Sequence, residues 1–188
     1  MKYSITQNGT PLDKKLYTLD EETKTFSSSE NNLVLDFGRE FGCTFKTGSR
    51  CTFKTGSRCT FDTGYGCTFK TGSRCTFDTG FRCTFKTGYA CTFNTDSDCT
   101  FKTGYACTFD TGYDCTFKTG SSCTFKTGSD CVVVRRDVYE VIELKENVKI
   151  KLNEYSIKGY TKVEEEPTEM TIKQIEEKLN ITGLKIIK

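Results

Sequence analysis

Cys59-Thr60-Phe61-Asp62-Thr63-Gly64-Tyr65-Gly66, followed directly by Cys67-Thr68-Phe69-Lys70-Thr71-Gly72-Ser73-Arg74, decides the fold. The two octads are consecutive copies of Cys-Thr-Phe-X-Thr-Gly-X-X. The motif runs eleven times from Cys43 and begins a twelfth at Cys131, so that all 12 cysteines stand eight residues apart. Within an octad, Cys-Thr-Phe-X alternates as a strand does, with Cys and Phe on one face and Thr and X on the other. Thr-Gly-X-X then turns the chain. Gly holds the sixth place in ten of the eleven octads, Asp96 being the exception, and this predicts a positive φ at that place.

The fourth position sets the coil length. It is Lys in every even octad (Lys54, Lys70, Lys86, Lys102, Lys118), whereas the odd octads carry Lys46, Asp62, Asp78, Asn94, Asp110 and Lys126. The eighth position follows the same alternation in part, with Ala90, Ala106 and Ser122 on even octads and Asp98, Asp114 and Asp130 on odd ones. The structural period is therefore sixteen residues: two strands and two turns per coil, two parallel sheets face to face about 10 Å apart, and coils about 4.8 Å apart. Phe and Cys fill the space between the sheets. A trimer winding a shared β-helix with an octad repeat, as in some phage spikes, is the alternative, and it leaves the sixteen-residue alternation without a cause.

Working outward, residues 1–42 read as a β-rich cap. Strands are expected at Tyr3 to Thr6, Lys15 to Leu19, Lys24 to Phe26 and Leu33 to Phe37, with a turn at Asn8-Gly9. Leu35 to Gly42 reads as a degenerate octad, Leu35 in the place of Cys and Phe37 in that of Phe. The repeat region is 43–134, ending on Val132-Val133-Val134. Residues 135–163 read as a β-hairpin cap, Asp137 to Leu144 pairing with Val148 to Leu152 through Lys145-Glu146-Asn147, followed by an extended piece from Tyr155 to Val163. Residues 164–188 read as an acidic linker with Pro167 and then a small helix-strand unit, its helix capped by Thr171 with Gln174 and ended at Gly183. The expected architecture is all-β: a two-sided parallel β-solenoid of about six sixteen-residue coils with a Cys/Phe core, a β cap at one end and a small β/α unit at the other.

Shifted in frame, Thr63-Gly64-Tyr65-Gly66-Cys67-Thr68-Phe69-Lys70 is similar to the Ala-Gly-Tyr-Gly-Ser-Thr-Gln-Thr half-repeat of bacterial ice-nucleation proteins. The resemblance covers about half of the chain. It implies a β-solenoid of sixteen-residue coils, with Cys in place of the inward Ser, Phe in place of the inward Gln or Leu, and Thr outward. A tyrosine ladder is proposed to mediate dimerisation in that family, which implies a homodimer here through the turn aromatics. The family's ice-ordering face has two outward threonines per strand, and in this chain the second is Lys, Asp or Asn. The Cys-Thr unit is also similar to beetle antifreeze repeats, whose period is twelve.

Composition bounds the function. The net charge is +2 and the chain has neither His nor Trp, so the commonest catalytic base and zinc ligand are missing. No signal peptide, transmembrane run or membrane association is read from the sequence, and the expected compartment is the cytoplasm, with virion association as a variant. There the cysteines are expected as reduced, buried thiols and no cofactor is expected; disulfides across the thin core would follow export.

The candidate interaction residues are the seventh-position aromatics Tyr65, Phe81, Tyr89, Tyr105 and Tyr113, read as an exposed line at the turns, and the lysine column Lys54, Lys70, Lys86, Lys102 and Lys118. The lysines suit a polyanion, yet no aromatic platform for bases accompanies them, and nucleic acid is the less favoured partner. Asp62, Asp78 and Asp110 form a carboxylate column that could hold a cation, and this is an alternative only. No catalytic residue is assigned. The expected function is a non-enzymatic structural or protein-interaction solenoid, with a homodimer through the turn aromatics and a protein partner at the C-terminal unit. The alternatives are a thiol-rich metal or redox binder and a surface-binding solenoid for ice or polysaccharide, including a phage-associated adhesin.

Overall fold

The computed structural model describes residues 2–164. The expected linker beyond Glu164, the helix after Thr171 and the final strand to Ile187 lie outside them. Two ten-stranded sheets face one another, each with seven parallel strands at its centre. One carries the lysine column, from Leu33–Asp36 through Thr52–Lys54, Thr68–Lys70, Thr84–Lys86, Thr100–Lys102 and Thr116–Thr119 to Cys131–Arg135. The other carries the aspartates, from Thr25–Ser27 through Thr44–Thr47, Thr60–Thr63, Thr76–Thr79 and Thr92–Thr95 to Thr108–Thr111 and Thr124–Thr127. Successive strands in the sequence alternate between the sheets. The sixteen-residue coil is thereby realised, and Phe77 pairs in register with Phe61 and Phe93.

Strand alternation sends Cys, Phe and also the fifth-position Thr inward. The twelve cysteines and the repeat phenylalanines are at most 1% exposed, and Thr103 and Thr119 are as deeply buried. Seven of the buried Thr hydroxyls donate to the carbonyl of the next residue, as Thr103 does to Gly104 at 3.4 Å, which answers the cost of hiding a polar group, whereas the Thr127 hydroxyl at the last coil is left without a partner. The phenylalanines form two parallel stacks that interlock. The Phe77 ring lies 4.9 Å from Phe61 and 4.8 Å from Phe93, each at 3°, and meets Phe69 and Phe85 edge-on at 5.2 Å. Offset-parallel and edge-to-face contacts are both favourable arrangements of the ring quadrupole, so one core satisfies both.

The corners differ from the sequence expectation. Positive φ falls on the eighth position, at Arg50, Arg58, Gly66, Arg74, Arg82, Ala90, Asp98, Ala106, Asp114, Ser122 and Asp130, and not on the sixth-position glycines. Close approach of the neighbouring coil accounts for most of those glycines instead, though Gly120 has room for a Cβ and Asp96 carries one. A Cβ on Gly56 would stand 2.5 Å from the carbonyl oxygens of Arg39 and Glu40, and one on Gly104 3.1 Å from the Gly88 backbone. The left-handed residue turns its N–H to the carbonyl of the seventh residue one coil on, Ala90 to Tyr105 and Asp98 to Tyr113, both at 3.0 Å. Inter-coil bonding thus continues around the turn, and this compensates the left-handed penalty of non-glycine residues, about 1–2 kcal/mol each.

A seventh coil precedes the octads. Val34, Leu35 and Asp36 pair with Thr52, Phe53 and Lys54, so Leu35 stands in the Phe place and Leu33 in the Cys place, two residues out of the expected phase. Phe26 pairs with Phe45 in the other sheet. Leu35 to Phe53 spans eighteen residues rather than sixteen, which accounts for the two-residue shift, and Phe26 to Phe45 spans nineteen.

Both ends are closed by antiparallel strands, which pair edges that would otherwise template association. Ser4–Gln7 and Thr10–Pro11 close the lysine sheet, with Pro11 on the outermost strand, and Thr18–Asp20 closes the other. Lys14–Leu16 is a 3-10 turn rather than the start of a strand. At the far end the expected hairpin between Asp137 to Leu144 and Val148 to Leu152 does not form. Glu140–Leu144 pairs back on Cys131–Arg135 in the lysine sheet, while Ile150–Leu152 pairs with Thr124–Thr127 and with Tyr160–Lys162 in the other. Each sheet needs its own cap, so the two strands part.

Arg135 ties these caps together. It is fully buried in the place of a fifth-position Thr, bonds both Asp137 oxygens at 3.2 and 2.6 Å, and donates to the carbonyls of Glu154, Ile157 and Gly159. Burial works against ionisation of Asp137, but the bonds from Arg135 prevail and hold its carboxyl below the ordinary value.

Candidate functional site

The cysteines form two straight columns inside the corners. The Cys67 N–H donates to Cys83 Sγ at 3.4 Å, and the Cys67 thiol donates to the carbonyls of Gly48 and Tyr65 at 3.8 and 3.7 Å. All twelve are free, buried thiols. Burial pushes the Cys43 thiol up to about 11, and the thiol neighbours Cys67 and Cys115, together with burial, raise Cys51 and Cys131. Among the described residues no group of three His, Cys, Asp or Glu side chains is placed to hold a metal ion. An eight-residue period lays the thiols along a line, whereas a tetrahedral site needs them converging on a point.

The outer faces carry in-register columns. Lys54, Lys70, Lys86, Lys102 and Lys118 are consecutive partners on one sheet, all exposed, with Lys54 bonded at its end to Asp36 at 2.8 Å. On the opposite sheet Asp62, Asp78, Asn94 and Asp110 are consecutive partners between Lys46 and Lys126. The Asn94 amide donates to Asp78 at 3.2 Å. These carboxylates stand on an open sheet, one per strand. Beside each charged column runs a column of outward threonines, paired Thr to Thr from coil to coil.

The aromatics do not form one line. Because a coil holds two octads, Tyr65, Phe81 and Tyr113 fall on the edge that follows the aspartate sheet, and Tyr89 and Tyr105 on the opposite edge. Tyr65 stacks on Phe81 at 4.9 Å and Tyr89 on Tyr105 at 5.0 Å, and the Tyr105 and Tyr113 side chains are more than half exposed. Arginines of the eighth position lie over these rings, Arg50 at 5.4 Å from Tyr65, Arg74 at 5.8 Å from Tyr89 and Arg82 at 5.5 Å from Phe81. Each edge is thus an apolar ridge rimmed with charge. The assignment of each aromatic to an edge was available from its odd or even octad; the role of the eighth-position arginines as ring partners was not, because their left-handed backbone directs them.

The chain matches no protein-family model, no curated protein and no solved structure. The sixteen-residue coil rests on the sheet pairing described above. Among the described residues no helix is long and apolar enough to cross a membrane.

Proposed function

We propose that the protein is a non-enzymatic scaffold whose work is structural or protein-binding, with its contacts made along the two solenoid edges. The observation that carries this reading is the pair of stacked, solvent-facing rings on each edge, Tyr89 with Tyr105 and Tyr65 with Phe81, on a backbone bonded coil to coil. Rigid exposed aromatics offer large contact area with little side-chain entropy to lose, and they are the residue type that anchors protein interfaces. The flat faces support the reading as well. Their charges stand one per strand, without the converging acid, base and cleft that a reaction needs. A sequence-based candidate for a second contact is residues 168–188.

The test is a photo-cross-linking residue placed at Tyr105, at Lys86 or at Asp78 in the full chain, in cells that make the protein. An adduct with another protein is expected from position 105 and not from 78, and a further arm lacking residues 168–188 separates the edge from the C-terminal unit. Failure of every position and of the C-terminal arm to yield an adduct would overturn the reading.

A further inference from the structure

The edge that follows the aspartate sheet is complementary to itself. Along its six octad coils the eighth position reads Arg50, Gly66, Arg82, Asp98, Asp114, Asp130, basic at one end and acidic at the other, with the neutral Asn32 in the same place on the coil before them. The seventh position reads Ser49, Tyr65, Phe81, Ser97, Tyr113, Ser129. A two-fold axis lying across the edge midway between the coils of Arg82 and Asp98 turns a second copy antiparallel and keeps seventh positions opposite seventh and eighth opposite eighth. Under that operation Arg50 meets the other copy's Asp130, Arg82 meets its Asp98, and Tyr65 meets its Tyr113. Phe81 meets Ser97, where a shallow notch of about 370 Å³ opens between Phe81, Ser97 and Tyr113.

We propose that this edge binds a second copy of the chain, forming an antiparallel, isologous homodimer in which Phe81 of each copy fills the notch over Ser97 of the other. The proposal rests on the scaffold reading and names the occupant of one of its two edges. An isologous interface requires every contact to occur twice, and a charge run that reverses sign at its midpoint meets that requirement. The opposite edge lacks the property. Its eighth positions are Arg58, Arg74, Ala90, Ala106 and Ser122, with no acid to meet the arginines, so this edge is left for a different partner.

The experiment is the molar mass of the full chain in solution at low and high salt, with two charge-reversal variants. The unaltered protein is expected at twice 21.2 kDa at low salt, with weaker association as salt rises. Arg50→Glu with Arg82→Glu makes the edge uniformly acidic, and Asp98→Lys with Asp130→Lys makes its charges largely basic. Each variant alone is expected to dimerise at least about tenfold more weakly, and an equimolar mixture to recover the dimer, because every reversed charge then meets its opposite. Recovery on mixing also shows that both variants are folded. A monomer at all concentrations, or a dimer that either variant keeps unchanged, would overturn the proposal. Neither result touches the scaffold reading, which the cross-link at position 105 on the other edge tests separately.

Discussion

Phe85 lies parallel to Phe101 with ring centroids 4.8 Å apart and planes 3° from coincidence, while its edge meets Phe77 and Phe93 at 5.2 Å. Truncation at Phe85 removes contacts with both neighbouring coils and with the opposite sheet. Phe85→Ala is expected to lower the unfolding free energy by about 3–5 kcal/mol. Thr84→Ala, on the exposed outer face, is expected to lower it by less than about 1 kcal/mol. Denaturant melts of the two variants measure the difference.

Glycine substitutions separate the two roles within one corner. Gly56→Ala drives a Cβ to 2.5 Å from two carbonyl oxygens and is expected to destabilise by about 3 kcal/mol or more. Gly66 adopts φ +66°, and its nearest contact to an added Cβ is the flexible side chain of Arg50 at 3.4 Å. Ala90 and Ala106 already adopt the same backbone. The left-handed cost of Gly66→Ala is partly offset by the smaller entropy of the unfolded chain, leaving about 1 kcal/mol. Equal losses in thermal melts of the two variants would refute the assignment.

That contrast shows what was legible in the sequence. Coil length followed from the alternation of Lys and Asp between octads, and the Cys/Phe core from the strand period. The conformation of the corner did not, because a recurrent Gly signals either positive φ or lack of room for a Cβ, and only the stacked neighbour at Gly88 or Gly104 decides which. Arg, Asp, Ala and Ser at the eighth position carry no common left-handed signature. Leu33 and Leu35 fall out of the expected phase because the spacing from Leu35 to Phe53 is two residues longer than the sixteen of the octad coils. At the other end, Glu140–Leu144 and Ile150–Leu152 are close in sequence and strand-like, so local pairing was expected, while the two exposed sheet edges compete for them and win. The edge dipole of Arg50, Arg82, Asp98 and Asp130 was present in the sequence as single letters and became a surface only once every second octad shared a corner.

Arg135 and Asp137 close the far end of the core. Arg135→Ala removes the guanidinium from Asp137 and from the Glu154, Ile157 and Gly159 carbonyls, of which Asp137, Glu154 and Gly159 keep only the N–H groups of Ser156, Ile157 and Asn153, and is expected to destabilise by about 3–5 kcal/mol. Because the Asp137 carboxyl is held below its ordinary value of 3.8, its contribution is present above that pH and is lost as the pH falls further. Asp137→Asn is expected to flatten the acid limb of a stability–pH curve.

The thiols act at the other end of the scale. The unfolded chain releases the Cys43 proton near its ordinary value of 9.0, whereas the folded chain holds it to about 11. The folded state therefore keeps more protons between those values, so this contribution is complete below about pH 9 and declines as the pH rises towards 11. The difference in urea midpoint between the unaltered protein and Cys43→Ala, measured from pH 7 to 11, is expected to shrink as the pH rises from about 9 towards 11.

The central claim is that Cys and Phe form a closed core and leave function to the edges and caps. Counting reactive thiols with Ellman's reagent after anaerobic purification, before and after unfolding, tests it most directly. The account predicts almost no reaction in the native protein and all 12 thiols on unfolding. Rapid native labelling of a whole column, or fewer than 12 thiols after unfolding because metal or disulfide holds the rest, would contradict it.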